Sequence, residues 1–214
     1  MTAQLPLIPF SQPTILRRMA VLTWLELPRV IAVGAIWAML TVPVLTVLAG
    51  APWWIAAASA LPLCLFGTGL ARFAAILSRS GRPVLRDAFR VDVVLGFLTS
   101  LALFGVVALF ETAGIAKVVS VVLAAVVLLV VPFAYSYGAV RSRTGFAALR
   151  GGFILVAYRP WTAVTLLSLN VIGGILIVAS LGVFGLFIPC YLFVFACAIV
   201  AGMLDDIDHR SGTR

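Results

Sequence analysis

Long uncharged apolar runs alternate along the chain with short segments that carry nearly all of its arginines. The first run, residues 30–49, has no charged residue. As a helix rising 1.5 Å per residue it just crosses a hydrocarbon layer about 30 Å thick. Gly50-Ala51-Pro52 turns the chain back, and Trp53-Trp54 supplies an interfacial anchor. The same reading predicts further spans at 54–77, 93–110, 115–139, 161–180 and 183–204. One helix over 161–204 would be about 60 Å long, twice the hydrocarbon thickness, so a hairpin with its turn at 180–182 is expected instead. The predicted fold class is therefore all-α: a polytopic bundle of six transmembrane helices forming a single domain over 1–214, preceded by a cytoplasmic amphipathic segment at 11–29.

Composition supports the membrane assignment: 64% of residues are hydrophobic, 10% are charged, and the mean hydropathy is +1.21. That is too little polar surface for a soluble domain. The net charge of +8 does not point to nucleic acid, because the basic residues fall in the short connections. Arg17, Arg18 and Arg29 precede the first span. Arg79, Arg82, Arg86 and Arg90 follow the second, Arg141, Arg143, Arg150 and Arg159 follow the fourth, and Arg210 and Arg214 follow the sixth. The opposite side carries only Lys117, beside Glu111. The positive-inside rule then places both termini in the cytoplasm. Arginine outnumbers lysine fourteen to one, a usage typical of a GC-rich bacterial genome and so of a bacterial inner membrane.

The two longer connections share a pattern. RSGRPVLRDAF from Arg79 and RTGFAALRGGF from Arg143 both fit R-[ST]-G-x-x-x-L-R-x-x-F, 64 residues apart. Each precedes a predicted hairpin, and Leu16-Arg17 is a looser echo before the first. The chain thus reads as three parallel units, each an amphipathic segment followed by two spans. Over 82–91, Arg82, Arg86 and Arg90 recur at i+4 and predict a short interfacial helix with one basic face. Arg79, Arg82, Arg86, Arg90, Arg143 and Arg150 are the candidate contacts, either to anionic membrane lipids or to a protein partner.

Polar groups inside the predicted spans are few. Arg72 and Asp92 lie at similar depth near the end of span two and the start of span three, so an ion pair is expected. Asn170 sits mid-span and suits interhelical hydrogen bonding or a ligand contact. Tyr135, with Ser136 and Tyr137, forms a polar patch near the inner end of span four. Gly67, Ala71 and Ala75 make a small-residue stripe for close helix packing. Cys64, Cys190 and Cys197 lie in apolar runs without a CxxC pair and read as buried small residues. There is no phosphate-binding loop, no HExxH, and one histidine, His209, in the polar tail. No catalytic residue, metal site or cofactor is predicted, and no enzymatic activity is expected.

Several short motifs resemble those of a known family. Trp37-Ala38-Met39-Leu40-Thr41-Val42-Pro43-Val44-Leu45-Thr46 looks like an apolar run closing in Pro-x-x-Thr. Pro83-Val84-Leu85-Arg86-Asp87-Ala88-Phe89 looks like a basic-aromatic segment. Leu149-Arg150-Gly151-Gly152-Phe153 with Tyr158-Arg159-Pro160 looks like a later one. Together they resemble the YesL-like DUF624 family of small bacterial integral membrane proteins, whose function is unknown. After Thr46 the chain departs from the family's Gly-Pro-Ala-Thr-like stretch. The resemblance implies an accessory role near carbohydrate uptake, with an ABC-transporter permease as one partner, and carries over no site residue. A small-solute transporter or channel-like protein is the alternative.

Overall fold

In a computed structural model, residues 20–210 and Gly212 are described, except 22, 49–52, 80, 111, 113 and 181–182 and the side chains of 44–48, 53, 56, 57 and 178. Most of the expected 11–29 segment, with Arg17 and Arg18, the turn at 50–52, and Arg214 lie outside the described residues.

The described chain is helical. Seven α-helices run Leu27–Leu48 (α1), Trp53–Ser78 (α2), Val93–Phe110 (α3), Ile115–Arg141 (α4), Gly145–Tyr158 (α5), Pro160–Ala179 (α6) and Ile188–Arg210 (α7). Single 3-10 turns occupy Leu85–Phe89 and Val183–Leu186. Five helices are long and apolar enough to cross a membrane, within α2, α3, α4, α6 and α7, while Leu27–Pro43 and Gly145–Tyr158 are shorter apolar stretches.

The surface is apolar where water would demand polarity. Phe97 and Leu101 on α3, Val118, Val121 and Val122 on α4, and Val171 and Ile175 on α6 all stand exposed. A contiguous apolar exterior of this kind suits lipid, not water. Hydroxyls along the helices turn back on their own carbonyls, as Thr41 does on Ala38, Thr165 on Trp161 and Ser168 on Val164. That leaves no dangling donor for hydrocarbon to expose.

Helices α2, α4 and α7 touch one another and form the inside. The others lie outside in a cyclic order: α1 on α2 and α7, α3 on α4 and α2, α6 on α7 and α4. Gly67 and Ala71 of α2 face this interior, Gly67 beneath the Tyr135 ring and Ala71 with its carbonyl on the Cys197 thiol at 3.5 Å. An aromatic chain then crosses four helices: Phe66 and Phe193 flank Trp37 at 6.4 and 6.2 Å, and Phe193 stacks on Tyr135 at 6.2 Å. The three cysteines are buried and free.

Two connections differ from expectation. Residues 82–91 do not form a helix with an i+4 basic face. Only Leu85–Phe89 is helical, as one 3-10 turn. Pro83 disfavours helical backbone at Arg82, and the segment folds inward to bury Ala88 against Gly69 of α2. Phe89 meets Phe66 edge-on at 6.0 Å. The second connection is a full helix, α5, with Gly145, Ala148, Gly151, Gly152 and Leu155 buried. Gly152 lies against the backbone of Ala134, and Gly138 against Ala148, so α5 runs antiparallel along the end of α4. The corner between them uses two left-handed residues, Ser142 (φ 53°) and Gly145 (φ 56°).

The last two helices also shift. A 3-10 turn occupies Val183–Leu186, and α7 starts at Ile188 with Pro189 in its first turn, where a missing N–H costs nothing. At its other end α7 continues past Asp205 to Arg210.

Candidate functional site

Charged side chains gather at one end of the bundle, where the C-termini of α2, α4 and α7 meet the start of α3. Asp206 accepts from Arg159 at 2.9 Å, Arg210 at 3.2 Å and the Tyr158 hydroxyl at 3.1 Å. Arg141 pairs with Asp208. These bonds tie the end of α5 and the start of α6 to α7. Sequence reading missed them, although the run Asp205-Asp206-Ile207-Asp208 facing a side of the molecule rich in arginine was the available signal.

A cleft of about 230 Å³ opens between the end of α2, the 79–92 connection and the end of α4. Arg72, Arg79 and Arg90 line it with Asp87 and Ser142. Arg79 donates from Nη2 to the Val140 carbonyl at 2.9 Å, which caps the end of α4. Asp87 accepts from the Val84 N–H at 3.0 Å and stands 3.9 Å from Arg90. Arg72 is half-buried and makes no hydrogen bond or ion pair to a described residue.

The expected Arg72–Asp92 pair does not form. Asp92 is buried one helical turn deeper and serves as a clamp: its carboxylate accepts from the Leu95 N–H at 3.1 Å and from the Gly145 N–H at 2.8 Å. Its own N–H donates to Thr68 Oγ1 at 2.8 Å. One side chain thereby caps α3 and holds the start of α5.

The other intramembrane candidates are also committed within the bundle. The Tyr135 hydroxyl shares a hydrogen bond of 2.6 Å with Thr99 and donates to the Cys64 carbonyl at 3.2 Å, joining α4 to α3 and α2. Asn170 donates to Leu166 of its own helix at 2.8 Å, not to a neighbouring helix. Ser136 is fully buried with no hydrogen-bond partner among the described residues, and Tyr137 packs on Gly151. Replacing Tyr135 by phenylalanine is expected to cost about 1 kcal/mol, since it removes the hydrogen bonds to the Cys64 carbonyl and to Thr99, whose hydroxyl keeps the carbonyls of Leu95 and Gly96. Thermal unfolding in detergent reads this directly; an unchanged midpoint would show the hydroxyl bonds to be without net weight.

Of the six basic candidates, Arg79 and Arg90 line the cleft, while Arg82, Arg86, Arg143 and Arg150 stand exposed outside it. Comparison with family models, with curated proteins and with solved structures finds no match.

Proposed function

We propose that the chain is a non-enzymatic accessory or scaffold protein of a bacterial inner membrane, with six spans and both termini in the cytoplasm. Helix α1, with 22 residues, is long enough to be the sixth span. The cyclic packing of α1, α3 and α6 around α2, α4 and α7 fits three parallel hairpin units, as does the 64-residue echo in the connections. Positive-inside orientation puts the arginine-bearing end in the cytoplasm.

The observation that carries this reading is the division of polar groups. In the bundle, Tyr135, Thr99, Ser120 and Asp92 bridge helices, whereas Arg82, Arg86 and Arg150 project from one end. A carrier would need polar groups facing a midplane path. Tyr135 is committed to Thr99 and the Cys64 carbonyl, and Asn170 to Leu166 of its own helix, so transport is the less supported alternative. The carbohydrate-uptake setting and the permease partner rest on the DUF624 resemblance alone.

The test is affinity purification from native membranes after light crosslinking, followed by mass spectrometry. A stoichiometric permease subunit is expected, and it should be lost when Arg82, Arg86 and Arg150 are changed to glutamate in protein that still inserts. Recovery of the chain alone, under conditions that preserve known complexes, would overturn the reading.

A further inference from the structure

We infer that the cleft between α2 and α4 is a binding site for a phosphate group, taken from a phospholipid headgroup or from a free phosphate. This goes beyond the accessory role and does not depend on any protein partner. Three guanidinium groups converge on the cleft against one carboxylate, and that carboxylate already holds the Val84 N–H. Arg72 forms its inner wall. It lies six residues before the end of α2 at Ser78, about 9 Å along the helix axis.

A guanidinium half out of water without a counter-charge is costly in any protein and more so beside lipid. No described residue forms a hydrogen bond or ion pair with Arg72, and the one carboxylate in the cleft, Asp87, is engaged by the Val84 N–H and Arg90. The flanking helix C-termini carry partial negative charge, but Arg79 answers that of α4 through its bond to Val140. Arg79 still has further N–H groups, since a guanidinium offers five. Ser142 also lines the cleft. Planar guanidinium forks fit phosphate oxygens two at a time, which an ammonium does not match. With α2 and α4 in the membrane, the cleft lies where headgroup phosphates meet the inner leaflet.

The experiment uses the full chain, delipidated in mild detergent. Phosphatidylglycerol and phosphatidylcholine of matched acyl chains are titrated separately and bound lipid is counted by native mass spectrometry. Inorganic phosphate is titrated in parallel by calorimetry and then as a competitor of the lipid. One equivalent of phosphatidylglycerol should bind in preference to phosphatidylcholine. Arg72→Gln should weaken it by about tenfold or more, and Arg72→Lys should recover only part. Arg82→Gln and Arg150→Gln, outside the cleft, should change it by less than about twofold.

Arg72-dependent binding of inorganic phosphate without lipid preference would support the site and identify a free phosphate as its source. The inference falls if the unmutated chain binds phosphatidylglycerol no better than phosphatidylcholine and binds no phosphate. It falls equally if Arg82→Gln and Arg150→Gln abolish binding while Arg72→Gln does not, which would mean diffuse charge in place of a site.

Discussion

Replacing Gly152 with valine is expected to unseat α5 and lower stability by about 3 kcal/mol, the upper end for overpacking. A Cβ at this position would stand 2.7 Å from both the backbone nitrogen and the Cα of Ala134. Neither is the end of a flexible side chain, so no local rotation relieves the overlap. Alanine gives the sharper test because its sign opposes helix propensity. In an open helix, glycine to alanine gains up to about 1 kcal/mol. At Gly174, where nothing lies within 4 Å, Gly174→Ala should raise the unfolding midpoint or leave it unchanged. Gly152→Ala should lower it. The buried thiols of Cys64, Cys190 and Cys197 serve as internal reporters, since a thiol-reactive dye fluoresces only as the core opens. Equal midpoints for the two alanine variants would mean that α5 does not pack on α4 at this distance.

Asp92→Ala should cost a similar amount by a different route. It removes the acceptor for two N–H groups, of Leu95 and Gly145, in a residue that is 9% exposed. Each orphaned buried donor costs about 1–3 kcal/mol, so a total loss of about 3 kcal/mol or more is expected. Asp92→Asn separates the two roles. One amide oxygen can still cap Leu95, but the NH₂ group then faces the Gly145 N–H, donor against donor. Hydrogen exchange should show both amides deprotected in Asp92→Ala, and Gly145 more affected than Leu95 in Asp92→Asn. Unaltered protection of Gly145 in both variants would show that the clamp does not hold α5.

Hydropathy located the elements whose limits are set by solvent. The expected span 93–110 coincides with α3, and 115–139 and 161–180 differ from α4 and α6 by at most two residues. It failed where limits are set by side-chain geometry. Val183-Phe184-Gly185-Leu186 reads as the start of a span because it is apolar, yet it forms a 3-10 turn and helix α7 begins only at Ile188. Its far end runs past Asp205 because Asp206 and Asp208 find arginines there. Helix α5, at 14 residues, is too short to register as a span. Its signal was the buried series Gly145, Ala148, Gly152, Leu155, spaced by three or four residues, rather than hydropathy. Arg72 and Asp92 were expected at similar depth, but Asp92 sits beside Thr68, one helical turn deeper than Arg72. A backbone N–H competes for Asp92 more effectively than a guanidinium does, because the corner at Gly145 delivers it at 2.8 Å, and sequence spacing does not show that.

The cyclic packing also bears on how the protein is made. Helix α1 rests on α2 and on α7, so one of its two supports is synthesised after all the other helices described. Until α7 arrives, α2 and α4 also keep an open inner flank that presents Ala71 and Ser136. Chain released early, or stalled within Ile188–Arg210, would therefore show the membrane's quality-control proteases an incomplete ring, which α7 closes by packing on α1.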